Sequence, residues 1–275
     1  MKKIFKKLTF VLAGVVFIAC SEQSNEPTIE DFSVPAEVAA QIAALGFDVD
    51  NQVPIIFDKG YLVEGDIYLT DDDLNTMSRG SSVPNVEQYR TNNLVCGPRV
   101  ITMYADEGGR NGYSPAMIAG LDLAIARYNS ENLSLTFERI STDNADIRMT
   151  RLKKGEERRG ILGSAGFPTS GCDPYGEIKM SGILESSYNL SVEGIATIIA
   201  HEMGHCIGFR HTDYFDRSIS CGSGGNEGDG GVGAIHIPGT PTGASVADLS
   251  WMLSCTDGGD RPFNSDDKVA LDYLY

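Results

Sequence analysis

The chain has 275 residues, 41% of them apolar, and a formal charge of −16. That apolar share suits a globular protein with one substantial core and a small extra region. The acidic balance excludes nucleic acid as a partner and favours solubility at a surface, with basic peptide segments as a mild electrostatic preference.

Lys2, Lys3, Lys6 and Lys7 precede an apolar run from Leu8 to Ala19. A charged start and a short apolar core make residues 1–19 a secretory signal, too short to span a membrane. Phe17-Ile18-Ala19-Cys20 resembles a bacterial lipoprotein signal, in which the Cys becomes the lipidated first residue. A plain signal cleaved nearby is the alternative. Either places the protein outside the cytoplasm; the lipoprotein reading puts it in the bacterial cell envelope, at the outer membrane or cell surface. Residues 20–35 are polar and read as a tether.

Residues 36–95 form a small N-terminal region, a candidate pro-segment. Val38 to Leu45 predicts a short helix, and Pro54 to Phe57 and Tyr61 to Leu69 predict strands. Asp71-Asp72-Asp73 begins another short helix or, less simply, holds calcium, although no EF-hand spacing is present. Ser78 to Ser82 is polar, a candidate linker or processing site.

Residues 96–275 carry the chemistry. Arg99 to Tyr104 predicts a strand and Pro115 to Tyr128 a helix capped by Ser114. Leu133 to Ile140 and Ile147 to Thr150 predict further strands. Gly160 to Gly166 and Gly176 to Met180 form a Gly-rich pair of extended segments. Ser191 caps a helix with Glu193 in its first turn and Ile195, Ile198, Ile199 and Met203 on its apolar face. That helix runs into His201-Glu202-Met203-Gly204-His205-Cys206-Ile207-Gly208-Phe209-Arg210-His211.

His201 and His205 stand four apart, so both imidazoles project from one helical face and can grip one metal ion, with Glu202 beside them. Gly208 falls where the helix must stop, and the turn brings His211 back as a third nitrogen ligand. Structural zinc sites are usually closed by four protein ligands. Three His with an adjacent Glu leave the fourth position to water, the catalytic arrangement. Zinc lowers the pKa of such a water and polarises a carbonyl, and Glu202 is the candidate general base that takes the proton and returns it to the leaving amine.

The motif, followed by Met252 in Ser250-Trp251-Met252-Leu253-Ser254, 41 residues after His211, resembles the metzincin clan of zinc metalloendopeptidases. More narrowly, His205 to Tyr214 and the ending Asp267 to Tyr275 resemble the bacterial M57 peptidases, the dual-action HEIGH metallopeptidases, over roughly residues 55 to 275. The resemblance implies an α+β fold: a twisted, mostly parallel sheet with an antiparallel edge strand, an active-site helix, a Met-turn with Met252 as an apolar floor under the three His, and a C-terminal helix. It implies that an extended substrate lies antiparallel to the edge strand, for which Ile161, Leu162, Gly163, Ser164 and Ala165 are the candidates; an ordinary Gly-rich hairpin is the alternative. It also implies that the stretch before Met252 shapes the pocket for the residue after the scissile bond. Some members carry a Tyr two residues after the turn Met; here Ser254 stands there, so no Tyr is assigned to catalysis.

Gly residues crowd the stretch from Cys221 to Gly233, which excludes regular structure. His236, in Gly-Ala-Ile-His-Ile-Pro-Gly, reads as a loop residue beside the cleft. Ser265 to Tyr275 predicts a capped helix with Val269, Leu271 and Leu274 as its apolar positions.

Five cysteines remain if Cys20 is lipidated: Cys96, Cys172, Cys206, Cys221 and Cys255. Outside the cytoplasm two disulfides and one unpaired thiol are expected, with connectivity open. Cys96, in Val-Cys-Gly-Pro-Arg, is also a candidate for a thiol that blocks zinc before maturation. The sequence therefore points to a monomeric, lipid-anchored zinc endopeptidase acting on polypeptides. A catalytically silent binding protein on the same fold and a zinc hydrolase of a non-peptide amide are the alternatives.

Overall fold

A computed structural model describes residues 32–77, 88–109, 112–229, 231–241 and 249–275. The signal, most of the tether including Cys20, and the polar stretch at Ser78 to Ser82 lie outside these residues.

Ten strands and seven helices occupy the described residues. Three short strands open the fold: β1 (Ile55–Phe57), β2 (Gly60–Val63) and β3 (Ile67–Leu69). The single strand expected over Tyr61 to Leu69 is two, because Glu64 and Gly65 take φ values of 55° and 93° and reverse the chain. Helix α1 (Ala36–Leu45) precedes them. Helix α2 (Asp71–Thr76) follows, and its N-cap Thr70 exchanges hydrogen bonds with Asp73 in a capping box. The acidic triplet is thus spent on starting a helix and, through Asp71, on accepting from the Tyr61 hydroxyl at 2.8 Å.

Residues 96–207 supply β5 (Arg99–Ala105), α3 (Pro115–Ser130), β6 (Leu135–Arg139), β7 (Ile147–Arg151), α4 (Lys154–Glu157), β8 (Gly163–Ala165), β9 (Glu177–Met180) and α5 (Val192–Ile207). An eight-stranded sheet runs in the order β1-β2-β3-β8-β9-β7-β5-β6. Strands β9, β7, β5 and β6 are parallel, and β8 is antiparallel to β9. The predominantly parallel sheet with an antiparallel member matches expectation. The position of that member does not: β8 is interior, because β3 lies parallel to it through Ile67 opposite Ala165. Of the candidate edge-strand residues, only Gly163, Ser164 and Ala165 are extended in the sheet; Ile161 and Leu162 lead into it.

Alternation along β5 and β6 turns one face of the sheet toward α3 and α5, where Ile101, Met103, Leu135, Phe137, Leu121, Tyr128, Ile195 and Ile199 form the core. The helices approach closely because Gly120 presents no Cβ to the Ile195 side chain. Ser114 caps α3 by accepting from Met117 N at 3.3 Å, as predicted.

A two-strand ribbon joins β4 (Tyr89–Arg90) to β10 (Ile235–His236). His236 is therefore a strand residue rather than a loop residue, and its Nε2 lies 3.0 Å from the Thr240 hydroxyl. Helix α6 (Ser218–Cys221) is a single turn, and the described part of the Gly-rich stretch after it is irregular. Helix α7 (Ser265–Leu274) starts where expected and is capped by Asn264. It buries Ala270 and Leu271, whereas Val269 is 39% exposed.

Disulfides join Cys96 to Cys172 and Cys221 to Cys255, leaving Cys206 as a buried thiol. Two bridges and one free thiol are as expected. The Cys96 latency idea is overturned: its sulfur is bonded to Cys172 and offers no ligand.

Candidate active site

Helix α5 is a rigid rod because every residue from Gly194 to Ile207 is buried. Ser191 accepts from Gly194 N at 3.2 Å to cap its start. Gly208 ends it with φ 113°, its N–H donating to the Gly204 and His205 carbonyls at 3.0 Å. A side chain there would be strained by that φ and would stand 2.8 Å from Leu94. The left-handed turn carries Phe209, Arg210 and His211 back toward the helix.

Each ring is oriented through Nδ1. His201 Nδ1 donates to the Trp251 carbonyl at 2.8 Å, His205 Nδ1 to the Phe209 carbonyl at 2.9 Å, and His211 Nδ1 to both Glu227 oxygens at 2.9 Å. With all three Nδ1 atoms protonated, every Nε2 keeps a lone pair aimed inward. His201 Nε2 and His205 Nε2 then face each other at 3.0 Å with no proton between them. Two lone pairs in that position need a cation, so the residues fit a metal ion. Burial, and then the neighbouring imidazoles, hold the His205 pKa well below its ordinary value, which keeps the ring neutral as a ligand must be.

Glu202 is buried beside the rings, and its Oε2 has no hydrogen-bond partner. Its other oxygen lies over Gly163 of β8, where any Cβ would overlap it. Burial, and then the Asp66 charge, push its carboxyl well above the usual carboxylate range. A cavity of about 400 Å³ runs past His201 and Glu202 and is walled by Ile161, Leu162, Gly163 and Leu253.

The chain turn at Met252 lies under the site. Met252 is fully buried, and a Cβ on Gly204 would come within 2.6 Å of its sulfur. Trp251 Nε1 donates to the Ala200 carbonyl and the Tyr128 hydroxyl, both at 3.2 Å. Asp267 of α7 holds this turn from behind, accepting from Ser250 Oγ at 2.7 Å and Trp251 N at 3.4 Å. Ser254 donates to Asp213 at 2.8 Å and Glu227 at 3.1 Å, a structural tie.

Four further contributions were not read from sequence. Glu227, the Trp251 and Phe209 carbonyls, and Asp66 join the site only through folding. Asp66 Oδ2 lies 3.1 Å from His211 Nε2 and 3.5 Å from His201 Nε2. Glu227 also accepts from Arg217, which donates as well to the Glu64 carbonyl at 2.8 Å, while Arg210 Nη2 meets both Glu64 oxygens at 3.0 Å.

A buried three-His centre with a neighbouring carboxylate is the arrangement of a zinc hydrolase, and the family comparison decides which kind. The family model described as dual-action HEIGH metallo-peptidase matches residues 61–275. The chain belongs to this family. It is accordingly a zinc metallopeptidase. A search of curated proteins found no match to this metallopeptidase. Two solved structures of myroilysin were matched. One is 13% identical over 73% of this chain and 91% of that one, with a TM-score of 0.41. The other is 16% identical over 43% of this chain and 45% of that one, with a TM-score of 0.31, so the chain spans less than half of its length.

Proposed function

We propose that this metallopeptidase is an extracytoplasmic endopeptidase. It is exported by the signal at residues 1–19, carried on a lipid at Cys20 and the tether to residue 35, and uses Glu202 as general base. The observation that carries the catalytic part is the meeting of three Nδ1-anchored imidazoles with one partnerless Glu202 oxygen in a cleft. His201, His205 and His211 would hold a zinc ion, which would acidify a water and polarise a carbonyl. In this reading Glu202 accepts the proton of the attacking water and hands it to the departing amine, and its burial beside the imidazoles, close over Gly163, supports that role. The apolar wall of the cleft, with Ile161 and Leu162, excludes bulk water from the reacting bond.

Two disulfides support an extracytoplasmic location; among the described residues no helix is long and apolar enough to cross a membrane. Cleavage of casein by the zinc-loaded protein should vanish with chelator and with Glu202→Ala, while Glu202→Ala keeps its zinc. Cleavage that survives Glu202→Ala would remove Glu202 from the mechanism. Turnover of acetylated amines but of no protein in a broad panel would transfer the site to a non-peptide amide. Radiolabelled palmitate should enter the wild type and not Cys20→Ser; labelling of both would refute the anchor.

A further inference from the structure

The cavity that runs past His201 and Glu202 does not end at them. Thr197 and Ile198 of α5, and Leu253, Ser254 and Arg261 from the chain after Met252, line the same space. Thr197 precedes His201 by one helical turn, about 6 Å of rise. Arg261 is fastened to that turn, its N–H donating to Thr197 Oγ1 at 2.9 Å. The chain between Met252 and Arg261 is held as well: Ser254 N donates to Asp213 at 2.9 Å, Cys255 N to Ser220 Oγ at 3.0 Å, and Cys255 is bonded to Cys221.

The Arg261 side chain is only 6% exposed, and an arginine does not shed its charge when buried. Its partners do not match that charge. Nη1 donates to the Cys255 carbonyl at 2.9 Å, Nη2 stands 3.3 Å from Asp257, and Nε is buried with no partner. Asp257 is 65% exposed and its Oδ1 already accepts from Gly259 N at 3.0 Å, so it neutralises Arg261 weakly. The carboxylates of the cavity are engaged elsewhere, Glu64 with Arg210 and Asp66 with His211, while Glu202 lies over Gly163. The two other arginines of the cavity differ from Arg261. Arg217 is committed to Glu227 and to the Glu64 carbonyl, and Arg159 is exposed, over the Phe32 ring.

We infer that Arg261 is a specificity residue, which receives the carboxylate of an Asp or Glu side chain next to the bond that is cut. A carboxylate satisfies a guanidinium fork through charge-assisted hydrogen bonds, and the apolar neighbours Ile198 and Leu253 strengthen them by keeping water out. An extended chain advances about 3.3 Å per residue, so a polypeptide whose attacked carbonyl sits at the imidazoles brings an adjacent side chain within reach of a group held one helical turn away. This rests on the peptidase reading and adds its substrate class. It reverses the preference for basic segments that the net charge of −16 suggests, because surface charges are screened by salt and a buried one is screened much less.

The test uses short peptides of Ala and Gly with blocked ends, a neutral fluorophore and one Glu, Gln or Lys. Binding to the zinc-loaded Glu202→Ala chain is read by fluorescence anisotropy, and cleavage by the zinc-loaded wild type by mass spectrometry. The Glu peptide should bind about tenfold or more tighter than the Gln and Lys peptides, and should be cut beside its Glu with a similar advantage in kcat/KM. The advantage should shrink to about threefold or less when Arg261→Gln is added and should persist in part with Arg261→Lys, which keeps the charge and supports the comparison if the Gln variant does not fold. Glu and Gln peptides bound and cut alike by the chain with Arg261, or an advantage that survives Arg261→Gln, would overturn the assignment. Binding that depends on Arg261 with no peptide or protein cut would instead bring down the peptidase reading and leave the carboxylate subsite standing.

Discussion

Gly204→Ala sets helix propensity against packing at the centre of the site. Gly204 lies between the two helical His, where Ala would ordinarily stabilise α5 by about 1 kcal/mol. The added Cβ, however, would stand 2.6 Å from Met252 Sδ and 3.3 Å from Trp251 Nε1. Carbon contacts are comfortable at about 3.5–4.0 Å, so the turn carrying Trp251 and Met252 must move by roughly an ångström. Overpacking of this kind costs about 1–3 kcal/mol, which outweighs the propensity gain by about 1 kcal/mol at the middle of the range. For a chain of this size that lowers Tm by roughly 2–4 °C. The Trp251 carbonyl orients His201, so zinc affinity should fall as well, by roughly tenfold. Thermal unfolding and a zinc competition titration read both effects. Met252→Ala in the same chain makes room for the methyl, and the pair should couple favourably by about 1 kcal/mol in a double-mutant cycle. A Gly204→Ala protein that melts above wild type, with an additive cycle, would refute the packing argument.

The second prediction concerns Gly163→Ala, whose Cβ overlaps Glu202 and displaces this proposed base rather than the imidazoles. Peptidase kcat/KM should drop by roughly 10²-fold with zinc affinity little changed, and activity within threefold of wild type would contradict it. The Cys221–Cys255 bridge, with a sequence separation of 34, closes a loop after the third His that contains the Met252 turn. Its removal by paired Ala substitutions should cost about 4 kcal/mol by loop entropy, and a denaturant-unfolding loss under about 1 kcal/mol would show the segment needs no staple. Burial pushes Asp267 up to about 6 against the donors that favour its charge. The folded chain then binds its proton more tightly than the unfolded chain, so stability falls as pH rises from about 4 to about 6. The change is about 3 kcal/mol and should be absent in Asp267→Asn. Parallel pH profiles of the two proteins would show that Asp267 is charged throughout.

The elements of the catalytic region were legible because each announces itself locally. Helix α5 has a cap, an acidic first turn, an apolar face and a terminal Gly, and its spacing sets two imidazoles on one side whatever surrounds it. Short extended segments were less legible. Tyr61 to Leu69 reads as one strand, since nothing in Glu64 itself demands a left-handed angle; burial of its carboxylate against Arg210, 146 residues away, holds it there. Strand β8 reads as an edge because its own residues do not say what lies beside it.

Sequence by itself set out the candidate metal-binding residues, since three His and a Glu within eleven residues are joined by one helix and one turn. Only the tertiary structure decided what stands around that chemistry. Glu227 locks His211, the Trp251 carbonyl locks His201, and Asp66 faces them both. These groups come from segments that share no spacing with the motif, and they are brought together by the sheet and by burial of charge. Local periodicity carries information about the nearest turn of chain; contacts between distant segments are fixed by packing, which no single window of residues records.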